Sequence, residues 1–331
     1  MRTVDNPKAE VVERLTDARS ILIVTHARPD GDALGSMAAL AAAARATGRK
    51  ACMLVPGELP ARYDFLFPDD RPAGVAAFGA LADEADLVVI VDTCAFAQLD
   101  HLDDELTARR GKIVVVDHHA TADDIGAVRW MDASAAAAGV MVEELIEACG
   151  WPLPETAAEA LLVAITTDTG WFRFANTDGR CLRAAARLFE AGVHVDELYA
   201  RLYQCDRPER LDLLRRALDS AELHHDGRIA TMVLRRGDFN AARARLDETE
   251  NFVNEPLRVG RVEVSILLVE NPDCVRISLR SRGHVDVAEV ARSFGGGGHV
   301  RAAGLRAQED VDQFKQRLVA ACLARMGSDL D

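Results

Sequence analysis

The stretch Ser20-Ile-Leu-Ile-Val-Thr-His-Ala-Arg-Pro-Asp-Gly-Asp-Ala-Leu-Gly-Ser36 decides how this chain is read. Its apolar run, residues 21–25, predicts a strand buried on both faces, and the alanine-rich run 33–47 predicts a helix. Between them lie His26, Asp30 and Asp32, in a loop that Pro29 and Gly31 tighten. The two aspartates can then turn toward a common centre instead of trailing along a helix. A lone D-x-D is weak evidence, since a surface turn carries two aspartates at least as often.

Related clusters recur downstream. Asp92 follows LVVIV (87–91), Asp117-His118-His119 follows KIVVV (112–116), and Thr167-Asp168-Thr169 follows LLVAIT (161–166). All four clusters fall where strands are expected to end, although the run 156–166 also reads as a helix. Gly295-Gly-Gly-Gly-His299 adds a distant glycine-histidine loop. Taken singly, Asp92 and Asp168 are caps or turns and a His-His pair is a surface feature. Taken together, they are a set of oxygen and imidazole donors without cysteine, which suits a hard or borderline divalent metal. Two such ions are a common apparatus for breaking a phosphate ester. The adjacent histidines point in different directions, so one can bind metal while the other faces substrate.

Further strands are expected at 51–55, 87–91 and 113–116, alternating with helices at 6–18, 33–47, 135–149 and 156–166. This pattern reads as a parallel sheet, in which ligands gather at the carboxyl ends of the strands. Gly48 is a candidate helix stop, and Asn176 or Thr177 a candidate cap for a helix running to Glu190. A leucine-striped helix at 209–222 reads as a connector, broken by His224-His225-Asp226-Gly227. Strands at 228–234, 262–269 and 274–281 follow, the last two joined as an antiparallel hairpin by Asn271-Pro272-Asp273. A short helix at 286–294 leads into the glycine run, and a terminal helix starts near Asp310.

The 331 residues suffice for two domains, and 49% hydrophobic with 28% charged residues describes a globular protein. Aromatics are only 5%, so the core must be aliphatic. No apolar run approaches the ~20 residues that span a bilayer, and the charged start lacks a signal-peptide core. The expected compartment is the cytoplasm. Seven scattered cysteines without a C-x-x-C pair indicate neither zinc knuckle nor disulfide framework. The net charge of −14 argues against a long grip on duplex nucleic acid. Residues 275–306 nevertheless carry six arginines (Arg276, Arg280, Arg282, Arg292, Arg301, Arg306) against Asp286 and Glu289, a local surplus suited to phosphate.

HARPDGDALGS (26–36), VDT (91–93), VDHHA (116–120), TDTG (167–170) and GGGGHVRAAG (295–304) together resemble the DHH phosphoesterase family. The likeness is greatest to its oligoribonuclease and adenosine 3′,5′-bisphosphate (pAp) phosphatase group, and runs from about residue 10 to 325. The resemblance implies an α/β fold: a parallel-sheet DHH catalytic domain over 1–205, a linker helix over 206–222, and a smaller α+β DHH-associated substrate-binding domain over 223–331. It implies two divalent ions, usually manganese. His26 and Asp30 would bind one, Asp32, His118 and Asp168 the other, and Asp92 would bridge them. Asp117 would orient the histidines and His119 would contact the scissile phosphate. A water between the ions would be the nucleophile. Arg280, Arg282 and His299, with Gly296, Gly297 and Gly298, would hold substrate, joined by Arg173 and Asn176 of TGWFRFANT. The implied activity is hydrolysis of short oligoribonucleotides and linear dinucleotides such as pApA or pGpG, with pAp and cyclic di-AMP as further substrates. A homodimer is also implied; long duplex nucleic acid and membrane are not expected partners.

Other readings fit less well. A non-catalytic nucleotide sensor on this fold would be expected to lose metal ligands, and all six are present. A pAp-specific phosphatase is the narrower enzyme reading. The family's inorganic pyrophosphatases lack the GGGGH segment, and its long-tract exonucleases carry extra domains. A nicotinamide site fails for want of G-x-G-x-x-G after the first strand. His101, His194, His224, His225 and His284 are given no metal.

Overall fold

Strands with no polar face must be covered on both sides. In the computed structural model, which describes residues 6–282 and 285–326, two compact units meet this need separately, one ending at Cys205 and the other beginning at Asp206. The first unit's sheet comprises β1 (Ser20–Val24), β2 (Lys50–Leu54), β3 (Leu87–Val91), β4 (Ile113–Asp117) and β5 (Val128–Met131). Their order is β2-β1-β3-β4-β5 and every pair is parallel. Around them lie α1 (Pro7–Asp17), α2 (Gly31–Ala46), α3 (Phe78–Glu84), α4 (Asp103–Ala108), α5 (Ala138–Ala148), α6 (Glu155–Asp168), α7 (Gly179–Glu190) and α8 (Val195–Tyr203).

Alternate residues of each strand serve opposite faces. Ile21, Ile23, Val89 and Val114 pack with residues of α2, α5 and α6, whereas Leu22, Val24, Val88 and Ile90 pack with Phe78, Ala82 and Leu106. The strand order reverses between β1 and β3, and crevices at such points are where open α/β sheets bind ligands. His26 and Asp92 follow those two strands.

The alanine richness has a structural use. A Cβ on Gly35 of α2 would lie 2.3 Å from the Ala160 carbonyl oxygen and 2.8 Å from the Ala164 nitrogen, both backbone atoms of α6. The two helices therefore meet backbone to backbone, and this contact carries Asp32 and Asp168 on its two members. Gly35→Ala is expected to cost about 1–3 kcal/mol by overpacking. It would be read as a lower urea midpoint at unchanged m-value; an unchanged midpoint would contradict the close approach.

The second unit comprises α9 (Pro208–Asp219), β6 (Glu222–His224), β7 (Ile229–Leu234), α10 (Arg236–Ala242), β8 (Val264–Glu270), β9 (Val275–Ser281), α11 (Val287–Arg292), β10 (Gly297–His299), β11 (Ala302–Ala307) and α12 (Val311–Leu323). Its sheet runs β10-β11-β9-β8-β7-β6, with only β7–β8 parallel. Val287, Val290, Phe314 and Leu318 of α11 and α12 cover one face, packing against Ile266, Ile277 and Leu279.

Several expectations shift. Asp168 ends a helix, not a strand, because α6 continues through the threonines. The helix read as a connector ends at Asp219, and its Leu213 and Ala217 are buried with Met232 and Leu267 of the second unit. Glu222 already belongs to a strand, so His225-Asp226-Gly227 is a hairpin turn between β6 and β7. The α7 cap is Asp178, whose Oδ1 accepts the Cys181 N–H at 2.8 Å, in place of Asn176 or Thr177. β5, β10 and β11 were not legible, being short, at sheet edges or interrupted by glycine and arginine. Among the described residues, no helix is long and apolar enough to cross a membrane.

Candidate metal centre

Asp30 and Asp32 stand two residues apart but are held in different ways. Asp30 is the N-cap of α2, and its Oδ1 accepts the N–H groups of Asp32 and Ala33 at 3.0 and 3.1 Å. Asp32 is buried. Its Oδ2 accepts the Ala138 N–H at 2.6 Å, and its Oδ1 accepts the Gly139 N–H at 2.8 Å and the Ser36 hydroxyl at 3.3 Å. Ala138 and Gly139 open α5, whose own N-cap position, Ala137, has no side chain able to cap. Asp32 therefore caps a second helix across the fold.

Asp92, the residue after β3, is 2% exposed and takes a left-handed backbone with φ of 60°. Strained backbone of this kind is common where a side chain must be aimed. Its Oδ2 lies 3.4 Å from His26 Nε2, and its Oδ1 lies 3.3 Å from His118 Nε2 and 4.0 Å from His119 Nδ1. Oδ1 is buried without an aligned hydrogen-bond donor.

The two histidines have separate tethers. His118 Nδ1 is 3.3 Å from the Ala135 carbonyl, which can only accept, so the proton sits on Nδ1 and Nε2 faces the acids. From Nε2, Asp32 Oδ2 and Asp168 Oδ2 are each 3.6 Å away. Asp117 is fully buried; its Oδ1 accepts from the His119 backbone at 3.1 Å and from Nδ1 at 2.7 Å.

These side chains form three overlapping groups, His26–Asp30–Asp92, Asp32–His118–Asp168 and Asp92–His118–His119. Within each, one potential ligand atom per residue lies within 4.8 Å of the others. The first two share no residue, and Asp92 reaches toward both. Electrostatics agree with a cation-binding purpose. Burial, reinforced by the Asp92 and Asp168 carboxylates, holds the Asp32 pKa well above the usual range. Burial likewise pushes Asp168 up to about 6, with Asp92 and Asp30 adding to it. Burial alone would lower the His118 pKa, but Asp92, Asp32 and Asp168 outweigh it and raise it to about 10. The cluster thus crowds buried carboxyl groups that push one another toward protonation, and the unsatisfied Asp92 oxygen lies within it. Four carboxylates with two or three imidazoles fit a pair of divalent cations.

The remaining candidate residues are not members of these three groups. Asn176 Nδ2 donates to the carbonyls of Asp168 and Ala136 at 3.1 and 2.9 Å, and Arg173 Nε donates to Gly170 at 2.6 Å. Both brace the turn after α6. Arg282 donates to the carbonyls of Leu257 and Gly260, which occupies much of its guanidinium in holding a loop. A Cβ on Gly296 or Gly298 would strike β11 within 2.4 Å, so these two glycines serve sheet packing; only Gly297 opens onto space. His299 and Gly297 are exposed on β10, and Arg280 is half-buried on β9. Ser265, paired with Arg280 across the sheet, has a buried hydroxyl without a hydrogen-bond partner, and no sequence signal marks it. His224 bonds Thr231, and His284 lies outside the described residues.

The Asp117 contact makes a direct prediction. The hydrogen bond that His119 donates to Asp117, opposed by burial and aided by the charges of Asp117 and Asp92, raises the His119 pKa above its ordinary value. In metal-free protein, Asp117→Asn should therefore lower the His119 titration midpoint in an NMR pH series. An unmoved midpoint would show that Asp117 does not hold this ring.

Comparison with known proteins bears on both units. Residues 20–165 match the profile of the DHH family, N-terminal domain, and residues 230–324 match the DHHA1 domain. The chain is 33% identical over 308 residues to the bifunctional oligoribonuclease and PAP phosphatase NrnA of Thermus thermophilus, a match covering 91% of this chain and 88% of that one. The protein of the same description from Bacillus subtilis is 27% identical over 323 residues, covering 95% and 98%. In structure, the chain resembles an exopolyphosphatase-related protein from Bacteroides fragilis with a TM-score of 0.91 and 24% identity, over 99% of this chain and 100% of that one.

Proposed function

Because the chain belongs to the DHH family, we propose that it is a metal-dependent phosphoesterase that hydrolyses short oligoribonucleotides and linear dinucleotides to mononucleotides, and pAp to AMP. Cyclic di-AMP is a further candidate substrate, and the cytoplasm its setting. The observation that carries the reading is the convergence of two ligand groups on Asp92 at the sheet's switch point.

His26, Asp30 and Asp92 would hold one divalent ion; Asp32, His118 and Asp168 would hold the other, with Asp92 shared. Manganese is our choice of ion. When bound, such ions polarise a phosphoryl oxygen and lower the pKa of coordinated water. The protein supplies orientation. Ala135 fixes the His118 tautomer, and Asp117 fixes the His119 ring and favours its protonated form. A protonated His119 can donate to a non-bridging phosphate oxygen as negative charge grows there. Asn176 anchors the Asp168 carbonyl, which keeps the end of α6 in place.

The test is product analysis with purified protein and manganese on pAp, pApA, cyclic di-AMP and a labelled pentaribonucleotide. Mononucleotides from pApA and the pentamer, and phosphate from pAp, are expected. No product from any of these, or turnover indifferent to exhaustive chelation, would overturn the assignment.

A further inference from the structure

On the face of the second unit's sheet away from α11 and α12, residues of β7 and β8 are covered by α9, α10 and Phe252, and those of β9, β11 and β10 stand in cross-strand rows. Register pairs Arg280 with Ala302, Ser278 with Gly304, and Arg276 with Arg306. On the next strand Gly297 pairs with Gly304 and His299 with Ala302. Directly paired residues project to the same face. The rows are therefore Arg280–Ala302–His299, then Ser278–Gly304–Gly297, then Arg276–Arg306. The residues between, Ile277, Leu279, Ala303 and Leu305, are buried in the core with residues of α11 and α12, which settles that the rows face away from it.

The first row carries the two residues already proposed for substrate. The second is nearly free of side chains and forms a flat floor. The third has no role in the reading above. It sets two arginines directly opposite each other in register, and like charges so paired repel unless an anion lies between them. Neither Arg276 nor Arg306 forms an ion pair among the described residues. Arg276 donates to the Thr249 hydroxyl and to the Leu246 carbonyl, yet its Nε is buried without a partner. Burial and the Arg306 charge both push the Arg276 pKa down, with Cys274 and Glu250 acting the other way. The Arg306 side chain is exposed and makes no hydrogen bond among the described residues.

We propose that Arg276 and Arg306 form a second phosphate subsite, taken by a backbone phosphate of a single-stranded oligoribonucleotide whose other end is held at the Arg280–His299 row. Four residues of strand separate the two cationic rows, about 13 Å. That exceeds one nucleotide step, so a dinucleotide or pAp held at the first row does not reach the third, whereas a longer oligonucleotide crosses the bare floor and does. The subsite thus sets length preference in favour of oligomers beyond the dinucleotide. It rests on the phosphoesterase reading and deepens it.

Arg306→Ala is the clean variant, since that side chain ties down nothing else; Arg276→Lys is its companion. For Arg306→Ala, kcat/KM on a labelled pentaribonucleotide should fall about tenfold, with a log–log salt slope shallower by about 0.7 for the lost phosphate contact. On pApA and pAp it should stay within twofold of wild type. Arg276→Lys keeps charge but loses the planar fork, and should show a smaller fall on the pentamer alone. Equal losses on dinucleotide and pentamer, or no loss on the pentamer, would overturn the subsite. If wild-type protein hydrolyses none of these substrates, the phosphoesterase reading fails. Fluorescence anisotropy of the labelled pentaribonucleotide in EDTA then judges the subsite: weaker binding by Arg306→Ala supports it and unchanged binding refutes it.

Discussion

Asp92→Asn is expected to lower turnover about a thousandfold or more while the metal-free protein stays folded. Lewis-acid polarisation is worth several kcal/mol of barrier, and a shared ligand serves both ions. Asparagine keeps the shape and tolerates the left-handed backbone that Asp92 adopts. In the metal-free state the substitution also removes a buried carboxylate whose Oδ1 lacks a hydrogen-bond partner. Burial works against that carboxylate, but His118 and His26 outweigh it and hold its pKa below the usual range, so the metal-free melting temperature should fall modestly, and the rise that manganese gives the wild type should shrink. Wild-type turnover, or an undiminished manganese-dependent shift, would remove Asp92 from the centre.

Asp32→Ala should be as inactive but should fail differently. This carboxylate accepts two N–H groups at the start of α5 and the Ser36 hydroxyl, all inside the fold. Its removal leaves those donors unsatisfied, at a cost of about 2–4 kcal/mol even without metal. A urea midpoint in EDTA lower than that of Asp92→Asn separates the two variants, because Asp92→Asn leaves the backbone donors of α5 satisfied. If both variants had the same metal-free stability, the helix-capping role of Asp32 would be wrong.

The contrast shows what the sequence could and could not disclose. His26, Asp30, Asp92 and Asp117-His118-His119 follow apolar runs that make parallel strands, so their gathering at one edge is visible in one dimension. The sequence pattern puts Asp168 at a strand end, yet it reaches the same cluster from the end of α6, through the backbone contact at Gly35. The double duty of Asp32 was hidden because its partners are backbone N–H groups more than 100 residues away. Backbone donors carry no sequence signature, and the same holds for the Ala135 carbonyl that sets the His118 tautomer. In the second unit, glycines and arginines were easier to notice than to assign. Gly296 and Gly298 make room for a neighbouring strand, and Arg282 holds a loop. The pairing of Arg276 with Arg306 needs the register of two strands, one of which was not foreseen.

The central claim is a two-metal centre that hydrolyses short nucleotides. Its most direct test is a titration of metal-free protein with manganese while pApA hydrolysis is followed under tight-binding conditions. Activity should rise from none and level off at two equivalents per chain. A plateau at one equivalent, or full hydrolysis in the chelated protein, would contradict the account.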